Sequence, residues 1–203
     1  MNIYLLIRMR IRDQKKHNTI VKSAIRLINR LGFSGISIAK IARAAKVSPA
    51  TIYIYFKNKE DFFTKIYIDI IEKMHDAALQ GVDESKTIEQ QFKMIWINFF
   101  TYSNTNQDFV NYREHFEQTL MMKKIRAEDF KLNKYITKLF QKGIEEKIIK
   151  NLPLPFLVAF SLIPIITLLK FNFEGTIDMD DDLINQASEI AWNILKSNKE
   201  ISD

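Results

Sequence analysis

Between positions 46 and 59 the chain reads KVSPATIYIYFKNK, and its side chains are of the kinds that touch a nucleic-acid duplex. The hydroxyls of Ser48, Thr51, Tyr53 and Tyr55 can donate to phosphate oxygens or base edges, Ile54 can meet a thymine methyl, and the ammonium groups of Lys46 and Lys59 can neutralise phosphates. Pro49 and Ala50 supply a small leading edge, which lets a helix approach closely in a major groove about 12 Å wide. Reactive chemistry has no comparable foundation. The chain has no Cys, hence no thiol nucleophile, thiolate site or disulfide. Its three His, at 17, 75 and 115, show no metal-ligand spacing, and the sequence has no Gly-rich phosphate cradle or nucleophile elbow. We expect no catalytic residue, no metal and no cofactor.

Such side chains need a scaffold that turns them outward. Ser48 is a good helix N-cap, and Pro49 suits the first helical position, where its missing N–H costs nothing. A short helix should therefore run from 49 to about 56. Ile52 and Phe56, four apart, form its buried stripe and leave Pro49, Ala50, Thr51, Tyr53, Ile54 and Tyr55 pointing outward or sideways. Upstream, Ser37 caps a helix barely two turns long, in which Ile38, Ile41, Ala42 and Ala45 repeat at helical spacing. The same exposed helix end is suited to face a phosphate. A first helix, from about Asp13 to Leu31, carries Ile20, Val21, Ala24, Leu27, Ile28 and Leu31 on one stripe and stops at Gly32. Two short helices joined by a tight turn, the second with polar and aromatic groups outside, make the helix-turn-helix pattern whose second helix enters the major groove. Asn58 and Asp61 then resemble a capping box for a fourth helix, 59 to about 80, closed by Gly81.

The charge is divided in the same sense. Residues 1–60 hold 13 Lys and Arg against Asp13 and Glu60, a net of 13 − 2 = +11, whereas residues 61–203 hold 17 against 22, a net of 17 − 22 = −5. The first third is the part drawn to a polyanion. The opening MNIYLLIRMR has an apolar run too short for a secretory core and reads as a loose extension. Its cations Arg8, Arg10 and Arg12, with Lys15 and Lys16, either track a nucleic-acid backbone or minor groove or stay idle. With only five Gly and four Pro, the remainder should be helical too, in stretches near 85–103, 107–122, 125–147, 155–172 and 180–198. That makes an all-α chain of about nine helices.

Residues 16–67 resemble the DNA-binding domain of the tetracycline-repressor (TetR) family of bacterial transcription regulators. The resemblance is carried by Gly32 and by SIAKIARAAKVSPATIYIYFKNKEDFF, with Ile41-Ala42, Val47-Ser48, Ile52-Tyr53, Tyr55-Phe56 and Lys59-Glu60 where that family's pattern has them. Where the family usually has Gly in the turn, this chain has Lys46. Either the backbone there avoids the left-handed region, or an extra cation on the phosphates compensates a cost on the order of 1–2 kcal/mol. Ala50 likewise replaces a common Gly. The expected DNA-contacting set is Ser37, Lys46, Ser48, Pro49, Ala50, Thr51, Tyr53, Ile54, Tyr55 and Lys59.

Beyond Gly81 the aromatics gather: Phe92, Trp96, Phe99, Phe100 and Tyr102 on one helix, Phe109, Tyr112 and Phe116 on the next, Tyr135 and Phe140 on a third. At helical spacing such rings make core, yet large rings mixed with Met94, Met121 and Met122 also leave irregular gaps able to admit an apolar ligand. The family resemblance implies an inducer pocket between these helices. Its candidate lining is Trp96, Phe99, Phe100, Tyr102, Tyr112, His115, Phe116, Phe140 and Phe160. His115 has the alternative of a histidine with no ligand role.

Residues 152–169 carry no charge for 18 positions, but Pro153, Pro155 and Pro164 interrupt the helix below the length of a bilayer span, so no membrane role is expected. A helix apolar all round in a soluble protein is buried on every side. With 180–198, whose stripe is Leu183, Ala187, Ile190, Ala191 and Ile194, this segment would form half of a four-helix homodimer interface, and the family dimerises through its last two helices. Asp178, Asp180, Asp182 and Glu189 imitate a calcium loop, but Leu183 stands where Gly is needed and acidic groups at a helix start complement its dipole. The expectation is therefore an N-terminal arm and helix-turn-helix DNA-binding domain over 1–60, and a helical regulatory and dimerisation domain over 61–203. Together they would make a cytoplasmic homodimeric repressor, not an enzyme, that binds a near-palindromic double-stranded operator and is released by a small apolar or amphipathic effector. The alternative is the same dimer without a small-molecule ligand, gated by a protein partner or acting architecturally.

Overall fold

The computed structural model describes residues 3–126 and 130–197, and among them there is no strand, only an isolated antiparallel bridge between Ile149 and Lys196. The helices are α1 (Ile3–Leu31), α2 (Ile38–Ala44), α3 (Pro49–Tyr55), α4 (Lys59–Ala78), α5 (Ile88–Thr105), α6 (Gln107–Glu117), α7 (Lys131–Glu145), α8 (Leu154–Ser161), α9 (Pro164–Phe173) and α10 (Asp181–Leu195), with a 3-10 turn at Leu120–Lys124. The chain is all-α, as its composition implies.

Three departures from the expected elements have local causes. α1 runs from Ile3 rather than from near Asp13, so the expected loose extension is helical from Ile3 on. No Gly or Pro precedes Gly32, and Leu, Arg, Met, Gln and Lys are good helix formers, so nothing at Asp13 stops the ladder. The stretch expected at 107–122 ends at Glu117 and tightens into the 3-10 turn, and its successor starts at Lys131; residues 127–129, expected to be helical, lie outside the described residues. The apolar stretch at 155–172, expected to be interrupted by Pro164, goes further and separates there into two helices, with Pro164 at the first position of α9 because it has no N–H to give to the carbonyl four residues back. That break accounts for ten α-helices instead of about nine. Gly32 and Gly81 take positive φ, 67° and 71°, just past α1 and α4, as helix-ending glycines do.

The described residues gather into two compact units that do not follow chain order. One comprises the chain up to Ile71 together with Asp108–Ile125; the other comprises Glu72–Gln107 and the chain from Arg126 on. In the first unit, Ile20, Ala24 and Ile28 of α1, Ile38, Ile41 and Ala42 of α2, Ile52 and Phe56 of α3, and Phe62, Phe63 and Ile66 of α4 are buried together. Phe33 lies edge-on to Phe63, Tyr112 and Phe116 at 5.0, 5.6 and 5.9 Å, and Phe116 stacks on Tyr67 at 4.3 Å. The Tyr112 hydroxyl donates to the Phe63 carbonyl at 3.0 Å, and Asn29 donates to the carbonyl of Asp108 at 2.9 Å. These contacts fasten α6 to α1, α4 and the segment after α1.

In the second unit, Phe92 packs against Phe140 and Trp192 at 6.0 and 5.8 Å, and the indole N–H of Trp96 donates to the Ser161 carbonyl at 3.1 Å. Thr87 and Gln90 close a capping box at the start of α5, and Asp180 caps α10 by accepting from the Leu183 N–H at 2.8 Å. α7 ends against the bridge region: the carbonyl of Gly143 accepts from the N–H groups of Ile148 and Ile149, at 2.8 and 2.9 Å. A β-carbon on Gly143 would stand 2.6 Å from Cδ1 and 2.8 Å from Cγ1 of Ile149. Gly143→Ala should therefore destabilise the protein by about 1–2 kcal/mol despite the better helix propensity of Ala. A thermal melt should show a loss of several degrees.

Candidate nucleic-acid interface

Local signals position the pair of short helices. The Ser37 hydroxyl accepts from the Lys40 N–H at 3.2 Å and the Ser48 hydroxyl from the Thr51 N–H at 3.3 Å, so each helix starts on a serine cap. Between them the Val47 N–H donates to the Ala42 carbonyl at 2.9 Å and the Lys46 N–H to the Arg43 carbonyl at 3.2 Å. This is a Schellman closure, and it requires a left-handed residue at the position after the cap. Lys46 takes that conformation, with φ 54°. The turn thus carries the strain that a glycine would avoid. Lys46→Gly should raise stability by up to about 1 kcal/mol, less than the full steric relief because glycine is more mobile in the unfolded chain. A melt of the variant about 2–4 °C above wild type is the expected reading.

α3 divides its faces as the spacing demands. Ile52 is fully buried and Phe56 nearly so, while Pro49, Ala50, Tyr53 and Ile54 are exposed, the last two at 52% and 77%. Thr51 is half-buried, its hydroxyl 3.0 Å from that of Ser48. Ser37 and Lys46 are exposed as well. Eight of the ten expected contact residues therefore share the surface of α2, the turn and α3.

The other two, half-buried Tyr55 and exposed Lys59, make contacts within the first unit. Tyr55 lies three residues after Ile52 and so flanks the buried stripe. Its hydroxyl donates to the Asp13 carboxylate at 3.3 Å and its ring meets His17 edge-on at 5.4 Å. Burial, then the neighbouring Asp13 charge, raises the Tyr55 phenol above its usual range. Lys59, expected to clamp a phosphate, donates instead to the Ile36 carbonyl at 2.8 Å and lies 5.7 Å from the centre of the Phe63 ring. Both residues brace the unit that presents α3. Two exposed cations absent from the expected set, Arg43 in the last turn of α2 and Lys57 just past α3, flank the same surface. Their basic character beside a helix-turn-helix was the available signal.

The expected effector-lining residues divide between the two units. Tyr112, His115 and Phe116 belong to the first unit, where Tyr112 and Phe116 are fully buried against Phe33, Phe63 and Tyr67. Trp96, Phe99, Phe100 and Phe140 are buried in the second unit, with Phe100 stacked on Trp96 at 5.8 Å; Tyr102 is half-buried there. Trp96 and Phe160 line an apolar cleft of about 350 Å³ on α5, α8, α9 and α10, together with Leu168, Met179, Ile190 and Ile194. Phe160 and Ile190 are 51% and 63% exposed. The expectation that 152–169 is buried on every side is not met within one chain: Phe156 and Ile163 are exposed too. A period-3.6 pattern marks which residues are apolar, but it does not say which of them another surface must cover.

Comparison with known proteins finds two matching family models. Residues 20–66 match the model described as bacterial regulatory proteins, tetR family, and residues 87–196 match the tetracyclin repressor-like C-terminal domain. The crystal structure of a TetR family transcription regulator from Marinobacter aquaeolei VT8 superposes with a TM-score of 0.85 at 28% identity, over 93% of this chain and 99% of that one. A Bacillus subtilis (strain 168) protein named "Probable HTH-type transcriptional regulator YttP" is 28% identical over 145 residues, 68% of this chain and 70% of its own. Another from the same organism, the fatty acid metabolism regulator protein, is 27% identical over 86 residues, 42% of this chain and 44% of its own.

Proposed function

The chain belongs to the tetracycline-repressor family of DNA-binding transcriptional regulators, and from that premise we propose that it is a homodimeric, cytoplasmic repressor of a near-palindromic operator. Residues 1–60 would supply the DNA-binding domain and 61–203 the regulatory and dimerisation domain. The observation that carries the reading is the surface of α3: Pro49, Ala50, Tyr53 and Ile54 stand exposed on a serine-capped helix whose Ile52 is fully buried, in the most basic third of the chain. Two copies of α3 enter successive major grooves, about 34–36 Å apart. Selecting bound duplexes from a random pool tests this. A palindrome with half-sites about one helical turn apart is expected; recovery of no enriched sequence, or of a single unrepeated site, overturns it.

Release by a small apolar or amphipathic effector is the second part of the proposal. A coupling of about 1–3 kcal/mol between effector and operator suffices to shift binding. Support comes from a relative named fatty acid metabolism regulator protein, and from the large aromatic residues Trp96, Phe99, Phe100 and Phe140 gathered in the second unit. The rival, a regulator gated by a protein partner, is favoured by one observation: Tyr112 and Phe116 pack against Phe33 and Tyr67 within the first unit. Thermal shift against a panel of lipophilic compounds separates the two. Stabilisation by one compound class, together with release of the operator, supports the effector; no response across the panel supports the rival.

A further inference from the structure

The helix-turn-helix needs α1 only from about Asp13 onward, yet α1 continues ten residues further. Within the first unit the Tyr55 hydroxyl reaches the Asp13 carboxylate, and the His17 ring stacks on Phe56 at 5.5 Å, so the Asp13–His17 segment sits at the C-terminal end of α3. From Ile3 to Arg12 the backbone stays helical, a projection of about 15 Å at roughly 1.5 Å per residue. Ten residues would be marginal as an isolated helix; as the continuation of α1 they need no nucleus of their own. This stretch contains Arg8, Arg10 and Arg12 and no acidic residue, and Lys15 and Lys16 are exposed immediately after it. Residues 3–16 thus carry five cations against Asp13, a net of 5 − 1 = +4.

A cationic helix leaving the end of the recognition helix is complementary to one partner above all, the phosphate backbone of the duplex that α3 reads. We infer that the N-terminal part of α1 is a second DNA-contacting element, which holds the phosphates flanking each half-site and adds affinity without reading sequence. The inference rests on the DNA-binding reading above. It also gives a role to the cations that the sequence left between backbone tracking and idleness.

The probe is the duplex recovered by the selection, prepared with about ten extra base pairs on each side and again trimmed to the operator. The test variant is Arg8→Gln/Arg10→Gln/Arg12→Gln, in which glutamine keeps helix propensity. The control, Lys22→Gln/Arg26→Gln/Arg30→Gln, removes the same charge from exposed positions further along α1. We expect the test variant to bind the flanked duplex at least about tenfold more weakly. Its salt dependence, log affinity against log salt, should be shallower by up to roughly 5, about 0.9 for each of the six phosphates left without a cation when two chains bind. The control should stay within about threefold of wild type, and trimming the flanks should weaken wild type while leaving the test variant nearly unchanged. Equal affinity and equal salt slope for wild type and test variant on both duplexes overturn the inference while leaving the operator reading intact. Wild-type binding to phosphatidylserine vesicles without any effect of DNA flanks assigns the cations to a membrane surface and also overturns it. A wild-type chain that binds no duplex at all overturns the operator reading, and this inference with it.

Discussion

Phe160→Glu/Ile190→Glu is expected to convert a dimer into a monomer, measured by light scattering, and to lower operator affinity at least about a hundredfold with each chain still folded. The two side chains are about half or more exposed in the single chain, on adjoining walls of the apolar cleft. Phe156, Ile163 and Ile194 extend the same exposed apolar surface over α8, α9 and α10, and contiguous patches of this kind on soluble proteins mark interaction sites. A second copy would cover them in a symmetric four-helix arrangement, each large side chain contributing about 1.5–3 kcal/mol on full burial. Two carboxylates per chain, four per interface, would have to be desolvated without partners, which costs more than the interface gains. The weaker operator binding follows from linkage: two tethered half-site readers bind more tightly than one by a factor of about 10²–10⁴. Little folding stability is at stake, because exposed positions in the monomer tolerate charge within about 0.5 kcal/mol. A variant that remains dimeric at micromolar concentration sinks this account of the surface.

How much of this was legible in the sequence depended on how local the deciding interaction is. The serine caps, Pro49 at the head of α3 and the Ile52–Phe56 pair act within four residues of each other, and α2, the turn and α3 fall where those signals put them. Lys46 was visible as a departure from a glycine position, but whether the backbone would accept the left-handed conformation depended on the Schellman closure to Ala42. The intramolecular partners of Tyr55 and Lys59 lie beyond the reach of local signals. Their partners, Asp13 and the Ile36 carbonyl, lie 42 and 23 residues away, and no periodicity encodes pairings at that range. The aromatic stripe of α6 shows the same limit: the rings that Tyr112 and Phe116 meet, Phe33, Phe63 and Tyr67, come from other parts of the chain. α1 starts at Ile3, ahead of the expected Asp13, because the residues before Asp13 favour continuing the helix.

Tyr53→Ala should weaken operator binding by about 10- to 100-fold, in keeping with the roughly 1–3 kcal/mol carried by a good base or phosphate interaction, and leave the melting temperature within a degree or two. The argument turns on the two faces of α3. Tyr53 is 52% exposed, so truncating it leaves the core as it was. Ile52→Ala, one residue away but fully buried, should do the opposite, costing about 2–5 kcal/mol of stability through the cavity it leaves and weakening binding only in proportion to the fraction unfolded. Tyr53→Phe then divides the effect: affinity recovered by the ring alone assigns Tyr53 to packing on the sugar–base edge, whereas affinity that stays low assigns the hydroxyl to a hydrogen bond. Salt titration adds a second discrimination, since removing a neutral base-reading group leaves the slope unchanged, while removing a cation that neutralises a phosphate makes it shallower by about 0.9 per contact, about 1.8 when two chains bind. Wild-type operator affinity in Tyr53→Ala, with Ile52→Ala destabilised as expected, would leave α3 correctly folded but remove Tyr53 from the DNA-contacting surface.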